Sequence, residues 1–506
     1  MRGAQVLHGS EPLRVAERRR QVLIVDLNSF ATFPTLAIGL LVASLRNAGH
    51  EVTLISPLAN DVPASERERA ETPFDQMARR IHLSTMSAFT PTRDALRAAR
   101  RWYLDRPHPT VLSEVESALK NKPDVLLLSA YLQHYRSVVE IGKLAQRHGI
   151  PLILGGPMFN LGETAETWRG IPGLTALVGA EADLLAPDLV EAVCSDADLV
   201  RFPGVVLPDG RRASSAPPLR ELDQTPVPDF TDFPWDRYRV HIIPIMATRG
   251  CQWNKCTFCS DVISVSGRTF RNRSLDHLLN EMREQARRHR TNDFLFLDLK
   301  LNSNPDLFRG IIENVQRHVH GAQWIGTVHV DQRRDNGLSR QDLNSAVAAG
   351  MRRVSFGLET ASQRLLDAME KGCSVEGNSE FIRNAYEAGL SVRATMFKGY
   401  PGETADDLNK TADFLEKHRN FVDRIRFNEF SLPAGTPIYA EVTDNPELYP
   451  AWNVVGFDEW EARARYVNRE GRSLAYRRAK ARVSKAVYEI NRRPIRWSAR
   501  VFDGLM

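Results

Sequence analysis

No stretch of the 506 residues approaches the roughly 18–20 consecutive apolar residues that a membrane-crossing helix needs. Residues 1–20 lack the apolar centre of a secretory leader. Cysteine is scarce, with five in all, at positions 194, 251, 256, 259 and 373. Two stand alone and three are clustered, which excludes a disulfide framework and points to metal binding in a reducing cytoplasm. There is no short-period repeat and no low-complexity tract. Net charge is only +5, too small to require an anionic partner, so no nucleic-acid partner is expected.

The composition, 42% hydrophobic and 25% charged, is that of a globular protein, and the length calls for two or three domains. Residues 1–20 are charged and expected to be loose. From residue 21 to 220, short apolar strands alternate with helical patterns and glycine turns. Examples are Val22–Asp26, Glu51–Ile55, Lys122–Ser129, Pro151–Leu154 and Leu174–Val178. This alternation predicts a doubly wound, Rossmann-like α/β domain. Residues 60–120 interrupt it and read as a charged, irregular or helical insertion. Residues 221–240, rich in Pro and Asp, read as a linker.

Alternation resumes over residues 241–440. Strands are expected at Ile242–Thr248, Asp293–Leu297, Trp324–Val328, Arg353–Gly357, Ser391–Phe397 and Arg424–Phe430. Helices are expected between them, as at Leu275–His289 and Ser379–Ala388. Six βα units suit a partial (β/α)6, TIM-like barrel, whose chemistry belongs at the C-terminal ends of its strands. Residues 441–506 are expected to be a helical, basic C-terminal region.

Just after the first of these strands stands Cys251-Gln-Trp-Asn-Lys-Cys256-Thr-Phe-Cys259. Three thiolates on one short loop are one fewer than the four that close a [4Fe–4S] cluster, so one iron would keep an open coordination position. The alternative is a structural zinc site completed by a histidine such as His241 or His277, although neither has the close spacing of a zinc finger.

Cys251, Cys256, Phe258 and Cys259 resemble the C-x3-C-x-aromatic-C loop of the radical S-adenosylmethionine (SAM) superfamily. Here four residues, not three, separate the first two cysteines. Two more segments are similar to motifs of the cobalamin-associated members. They are Gly357-Leu-Glu359-Thr360, followed by the helix from Ser362 to Lys371, and Gly399-Tyr-Pro401-Gly-Glu-Thr404. In the first unit Pro34–Gly39, Ala48–Val52, Pro123–Val125, Gly155-Gly156-Pro157 and Gly179-Ala-Glu181 occur in the order seen in class B radical SAM enzymes.

The resemblance implies a cobalamin-binding domain over residues 21–220 and a radical SAM core over 241–440. It implies a [4Fe–4S] cluster on Cys251, Cys256 and Cys259, and SAM contacts from Phe258, Glu359, Gly399 and Pro401. For cobalamin it implies contacts from Ser129, Gln133, Gly155, Gly156, Pro157, Gly179 and Glu181. Glycines at 155 and 156 would let a flat macrocycle rest on the backbone. Asp298, at a strand end, is a candidate for meeting SAM or substrate. His134 also follows the appropriate strand, although a lone histidine there more often starts a helix. No catalytic side chain is assigned.

The implied activity is methyl transfer to an unactivated carbon of a natural-product or other biosynthetic intermediate. It would proceed through a 5′-deoxyadenosyl radical, on a small-molecule or peptide substrate, with an electron donor such as flavodoxin or ferredoxin. The alternatives are rearrangement, cyclisation or dehydration with the same cofactors, and a zinc-stabilised ligand-binding protein. Methylthio transfer is disfavoured because the extra N-terminal cysteine triad of that family is absent.

Overall fold

The computed structural model describes residues 18–28, 32–64, 68–260, 269–332 and 334–505. The expected loose segment therefore lies almost wholly outside the described residues. Among those described, no helix is long and apolar enough to cross a membrane.

Short runs of Val, Ile and Leu with no polar face form strands buried on both sides, the signature of a parallel sheet. The first sheet contains β1 (Gln21–Asp26), β2 (Glu51–Ile55), β3 (Val125–Ser129), β4 (Leu152–Gly155), β5 (Leu174–Val178) and the short β6 (Val205–Val206). Its order is β2-β1-β3-β4-β5-β6, parallel except for β6. The order reverses between β1 and β3, which opens a crevice at the strands' C-terminal ends. Helix α1 (Leu36–Asn47) buries Ile38, Leu40, Val42 and Leu45 against this sheet.

The insertion is helical: α2 (Pro73–His82), α3 (Thr90–Leu104) and α4 (Pro109–Lys120). Just ahead of α2, Glu68 forms an ion pair with Arg393 and its carbonyl accepts from Arg424 at 2.9 Å. Lys480 donates to the Leu83 carbonyl at 2.7 Å. The insertion thus grips the second half of the molecule.

That half opens with β7 (Ile243–Ile245). β8 (Thr248–Arg249) and β9 (Arg271–Asn272) then pair as an antiparallel ribbon. The main sheet continues with β10 (Asp293–Phe296), β11 (Gln323–Val328), β12 (Met351–Glu359), β13 (Ser391–Lys398) and β14 (Arg424–Glu429). The order β14-β13-β12-β11-β10-β7 is parallel throughout and leaves two edges, so the (β/α)6 barrel is partial. The strand expected over Ile242–Thr248 is shorter because the chain leaves the sheet after Ile245.

The stretch 221–240 is packed rather than free. Phe230 and Phe233 are buried, Trp235 stacks on His289 at 4.4 Å, and Arg46 bonds Asp229 at 2.7 Å. Its aromatic residues give it a core of its own, and one apolar core runs from the first sheet into the second. Beyond residue 441 the chain is helical at Pro437–Asp444 and Leu474–Asn491. Between these helices lies an unanticipated hairpin. β15 (Leu432–Pro433), β16 (Trp452–Asp458) and β17 (Arg463–Asn468) form a sheet in the order β15-β17-β16.

Candidate functional site

Asp298 sets the start of the cysteine loop. Its carboxylate accepts from the Ala247 amide at 3.1 Å and from the Thr248 amide and hydroxyl, both at 2.6 Å. Burial pushes its pKa up to about 6 against these hydrogen bonds. Its oxygens hold the backbone that turns from β7 into β8. β8 then delivers Gly250 and Cys251.

The loop is fastened on three sides. The Trp253 indole donates to the Glu370 carbonyl at 2.8 Å, and the Thr257 amide to Met369 at 3.1 Å. The Ile438 amide donates to the Thr257 carbonyl at 3.0 Å. The hydroxyls of Thr257 and Tyr400 lie 2.9 Å apart, and Phe258 meets Phe397 edge-on at 5.3 Å. Gly372 has φ +66°, and a Cβ there would stand 2.0 Å from the Trp253 ring, so only glycine fits beneath the loop.

Cys251, Cys256 and Cys259 are half-buried thiols. Among the described residues no three Cys, His, Asp or Glu side chains close around a single-ion position. Three thiolates on one loop match three protein-held corners of a cubane. The zinc reading also loses its fourth ligand. His277 accepts from Arg273 at 3.1 Å and faces Asp223, and His241 packs on Trp235. The donor set suits an iron–sulfur cluster.

Beside the loop, β12 ends in a bulge between Gly357 and Glu359. Glu359 has φ +56°, a left-handed conformation costly for a side-chain-bearing residue and common where a site imposes it. Its carboxylate accepts from Lys371 at 2.9 Å, with both groups buried. Burial works against the Lys371 ammonium, but Glu359 outweighs it and the pKa is raised. Lys371 also lies 5.5 Å over the Phe258 ring.

Gly399 and Pro401 belong to the next turn. There the Gly399 amide donates to Glu403 at 2.6 Å, and Tyr476 donates to the same carboxyl at 2.5 Å. Thr404 caps the following helix by accepting from the Asp407 amide. Phe258, Glu359 and the 399–403 turn are thus joined through Lys371, Phe397 and Tyr400.

The sequence reading missed a neighbouring group. After β11, His329 is buried with its backbone bracketed by Asn302 at 2.9 and 3.0 Å. Its ring is 6.1 Å from Trp253, and its Nε2 has no partner among the described residues. Burial, aided by Lys371 and Lys300, keeps the imidazole neutral. Lys300 and Asp331 form a buried ion pair at 2.6 Å. The available signal was position, since His329 and Asp331 directly follow an apolar barrel strand.

A cavity of about 590 Å³ lies between the two sheets. Its walls include Ile24, Leu40, Leu127, Ile153 and Val178, and on the other side Thr248, Arg249 and Gly250, which run directly into Cys251. Ser129, Gly155, Gly156, Gly179 and Glu181 all line it. Gln133 is not brought there. It is exposed, with its amide 3.5 Å from His134. Pro157 begins the helical turn Pro157–Asn160 just after Gly156.

His134 lines a separate small cavity with His108, and burial lowers its pKa to about 4. Two ion pairs close the large cavity's floor. Arg249 forks onto Asp183 at 2.8 and 2.7 Å, and Arg271 binds Glu181 at 2.6 Å. A Cβ on Gly155 would meet only Leu128 O, at 3.9 Å, so a side chain there would project into the space where a macrocycle would rest. A large apolar chamber with a side-chain-free shelf fits a corrinoid.

Residues 245–415 match the family model of the Radical SAM superfamily. Over nearly its whole length the fold is similar to those of two solved SAM radical enzymes. It superposes on the radical SAM methyltransferase TsrM from Kitasatospora setae, whose structure holds tryptophan and a SAM analogue. The TM-score is 0.66 at 16% identity, covering 92% of this chain and 89% of that one. It also superposes on OxsB, a cobalamin-dependent SAM radical enzyme with aqua-cobalamin bound. There the TM-score is 0.65 at 15% identity, over 88% and 64% of the two chains. Among curated relatives, an uncharacterized methyltransferase of Pyrococcus horikoshii is 24% identical over 315 residues, covering 60% of this chain and 67% of that one. The anaerobic magnesium-protoporphyrin IX monomethyl ester cyclase of Rubrivivax gelatinosus is 28% identical over 255 residues. That match spans 47% of this chain and 44% of the cyclase, less than half its length.

Proposed function

We propose that the chain is a cobalamin-dependent radical SAM methyltransferase acting on an unactivated carbon of a biosynthetic intermediate. One observation carries the reading: the wall of the apolar cavity runs through Thr248, Arg249 and Gly250 straight into Cys251. A corrinoid in that cavity and a cosubstrate at the cysteine loop would therefore face one another. When bound, the cluster supplies reductive cleavage of SAM and the corrinoid supplies a methyl carrier.

The chain's own residues hold and orient these groups. Cys251, Cys256 and Cys259 would hold the cluster, and with three protein thiolates it would keep a position for SAM. Glu359 and Lys371, buried beside Phe258, present opposite charges to the cosubstrate's amino and carboxylate groups, and the 399–403 turn flanks its nucleoside. Ser129, Gly155, Gly156 and Gly179 form the shelf under the corrinoid. Arg249 and Arg271 hold the two halves at a fixed separation through Asp183 and Glu181. Residues 21–220 would bind cobalamin and 241–440 would form the radical SAM core, with a cytoplasmic flavodoxin or ferredoxin as electron donor.

The test is anaerobic reconstitution with iron, sulfide and cobalamin, followed by SAM carrying a deuterated methyl group and candidate natural-product or peptide substrates. A product heavier by one labelled methyl supports methyl transfer. The cyclase similarity favours a second reading, ring formation with the same cofactors. It predicts 5′-deoxyadenosine with no methyl in the product.

A further inference from the structure

Helices α2 and α3 are turned inside out. A surface helix normally buries its apolar stripe and shows its charges to water. In α2, Phe74 and Met77 are 69% and 53% exposed, whereas Arg79 is only 13% exposed and pairs with Glu71. Phe89, at the N-cap of α3, and Leu96, within it, are 56% and 55% exposed, and Tyr103 near its end is exposed too. Arg93 and Arg97 turn toward the protein instead, and Arg101, although exposed, also pairs with it. Arg93 bonds the Ser84 carbonyl, Arg97 pairs with Glu429 at 2.7 Å, and Arg101 pairs with Glu461 at 3.1 Å. Neither helix buries a single residue. Ile81, Met86, Trp102 and Leu104 are exposed as well.

The hairpin is nevertheless built. α2 begins with a capping box between Thr72 and Asp75, and Arg97 bridges from α3 to the His82 carbonyl at the end of α2. Lys480 and Glu429 fasten it to the barrel at the C-terminal end of β14.

Charge selects the occupant. Residues 73–106 carry seven arginines and three aspartates, with no lysine or glutamate. Arg80 and Arg100 are exposed on the hairpin. Arg106 and Arg136 lie over the rings of Tyr103 and Trp102, at 4.0 and 5.5 Å. A second copy of this chain would set one arginine rim against another. An anionic bilayer surface would accept both the aromatic and aliphatic face and the guanidinium rim.

We propose that the α2–α3 hairpin lies on anionic phospholipid, as an in-plane amphipathic element that holds the barrel's last strand against the bilayer without spanning it. This goes beyond the catalytic reading and does not depend on it.

The test is co-sedimentation of the full-length protein with phosphatidylcholine vesicles, with and without phosphatidylglycerol. Sedimentation is expected with the mixed vesicles only, weakening as salt shortens the Debye length below about 8 Å. The variant Phe74→Gln/Phe89→Gln/Leu96→Gln removes three exposed side chains. It should keep the melting midpoint and lower partitioning on the order of 100-fold. Arg80→Glu/Arg100→Glu, an independent change, should remove the preference for anionic vesicles. The proposal is overturned by the absence of binding, by equal binding to neutral vesicles, or by binding that both variants leave unchanged. It is overturned equally if light scattering finds a dimer that the glutamine variant dissociates, which would make the face a subunit contact.

Discussion

Glu359 occupies a left-handed backbone position at the end of a buried strand, and its carboxylate is neutralised by Lys371 in the same low-dielectric pocket. Breaking such a pair from one side leaves an uncompensated charge, whereas replacing both sides is far cheaper. Lys371→Met alone should therefore destabilise the protein by about 3–5 kcal/mol in denaturant unfolding. The double variant Glu359→Gln/Lys371→Met should recover most of that loss yet still bind SAM more weakly. A double-mutant cycle showing simple additivity would remove the pair from the site. Each of Cys251→Ala, Cys256→Ala and Cys259→Ala should leave the reconstituted protein nearly colourless, with iron content well below the parent's. At this scale the cysteines and Glu359 were legible because motif spacing marks them. For Asp298, nothing in its sequence neighbours tells whether a strand-end carboxylate points to a ligand or back to its own backbone. His329 and the Lys300–Asp331 pair were not seen because isolated polar residues after a strand carry no spacing signal.

Among the elements, the turn from Gly399 to Thr404 has a pH dependence of its own. Burial raises Glu403 from an ordinary 4.5 to about 7, with Tyr476 and the Gly399 amide pulling the other way. A raised folded-state pKa means that the native protein holds a proton the unfolded chain has released. The resulting stability is fully present below about pH 4.5 and is lost as pH rises through about 7. Glu403→Gln keeps the shape and removes the titration. The parent's melting midpoint should therefore fall relative to the variant's between pH 5 and pH 8, by up to the equivalent of about 3 kcal/mol. Parallel pH profiles for the two proteins would contradict this. Helix Leu275–His289 was legible to the residue because Ser274 caps it and its apolar spacing is regular. The β16–β17 hairpin was not, because a register shift between Val454 and Gly456 breaks the period-two pattern by which a strand is recognised.

For the whole molecule, two βα-rich halves are clamped over one apolar cavity, and the clamps are ion pairs between distant residues. Asp183→Asn weakens the fork from Arg249 that joins the floor of the first sheet to the strand feeding Cys251. Titration of the variant with aquacobalamin is expected to show about tenfold weaker binding, equivalent to about 1.4 kcal/mol. Unchanged affinity would mean that the fork does not shape the cavity. The order of the two halves could be read from their alternating strands and helices. Their docking could not, since Asp183 looks like an ordinary polar loop residue and Glu181 reads as a corrinoid contact until Arg249 and Arg271 arrive from the other half. The stretch 221–240 reads as a linker from its Pro and Asp, and its packing rests on Phe230, Phe233 and Trp235.

The three-cysteine loop with its open coordination position is tested most directly by low-temperature electron paramagnetic resonance of the reduced, anaerobically reconstituted protein, recorded with and without SAM. The expected result is a [4Fe–4S] signal of about one spin per chain whose shape changes when SAM binds the cluster. A signal that SAM leaves unaltered, or no cluster signal from fully reconstituted protein, would contradict it.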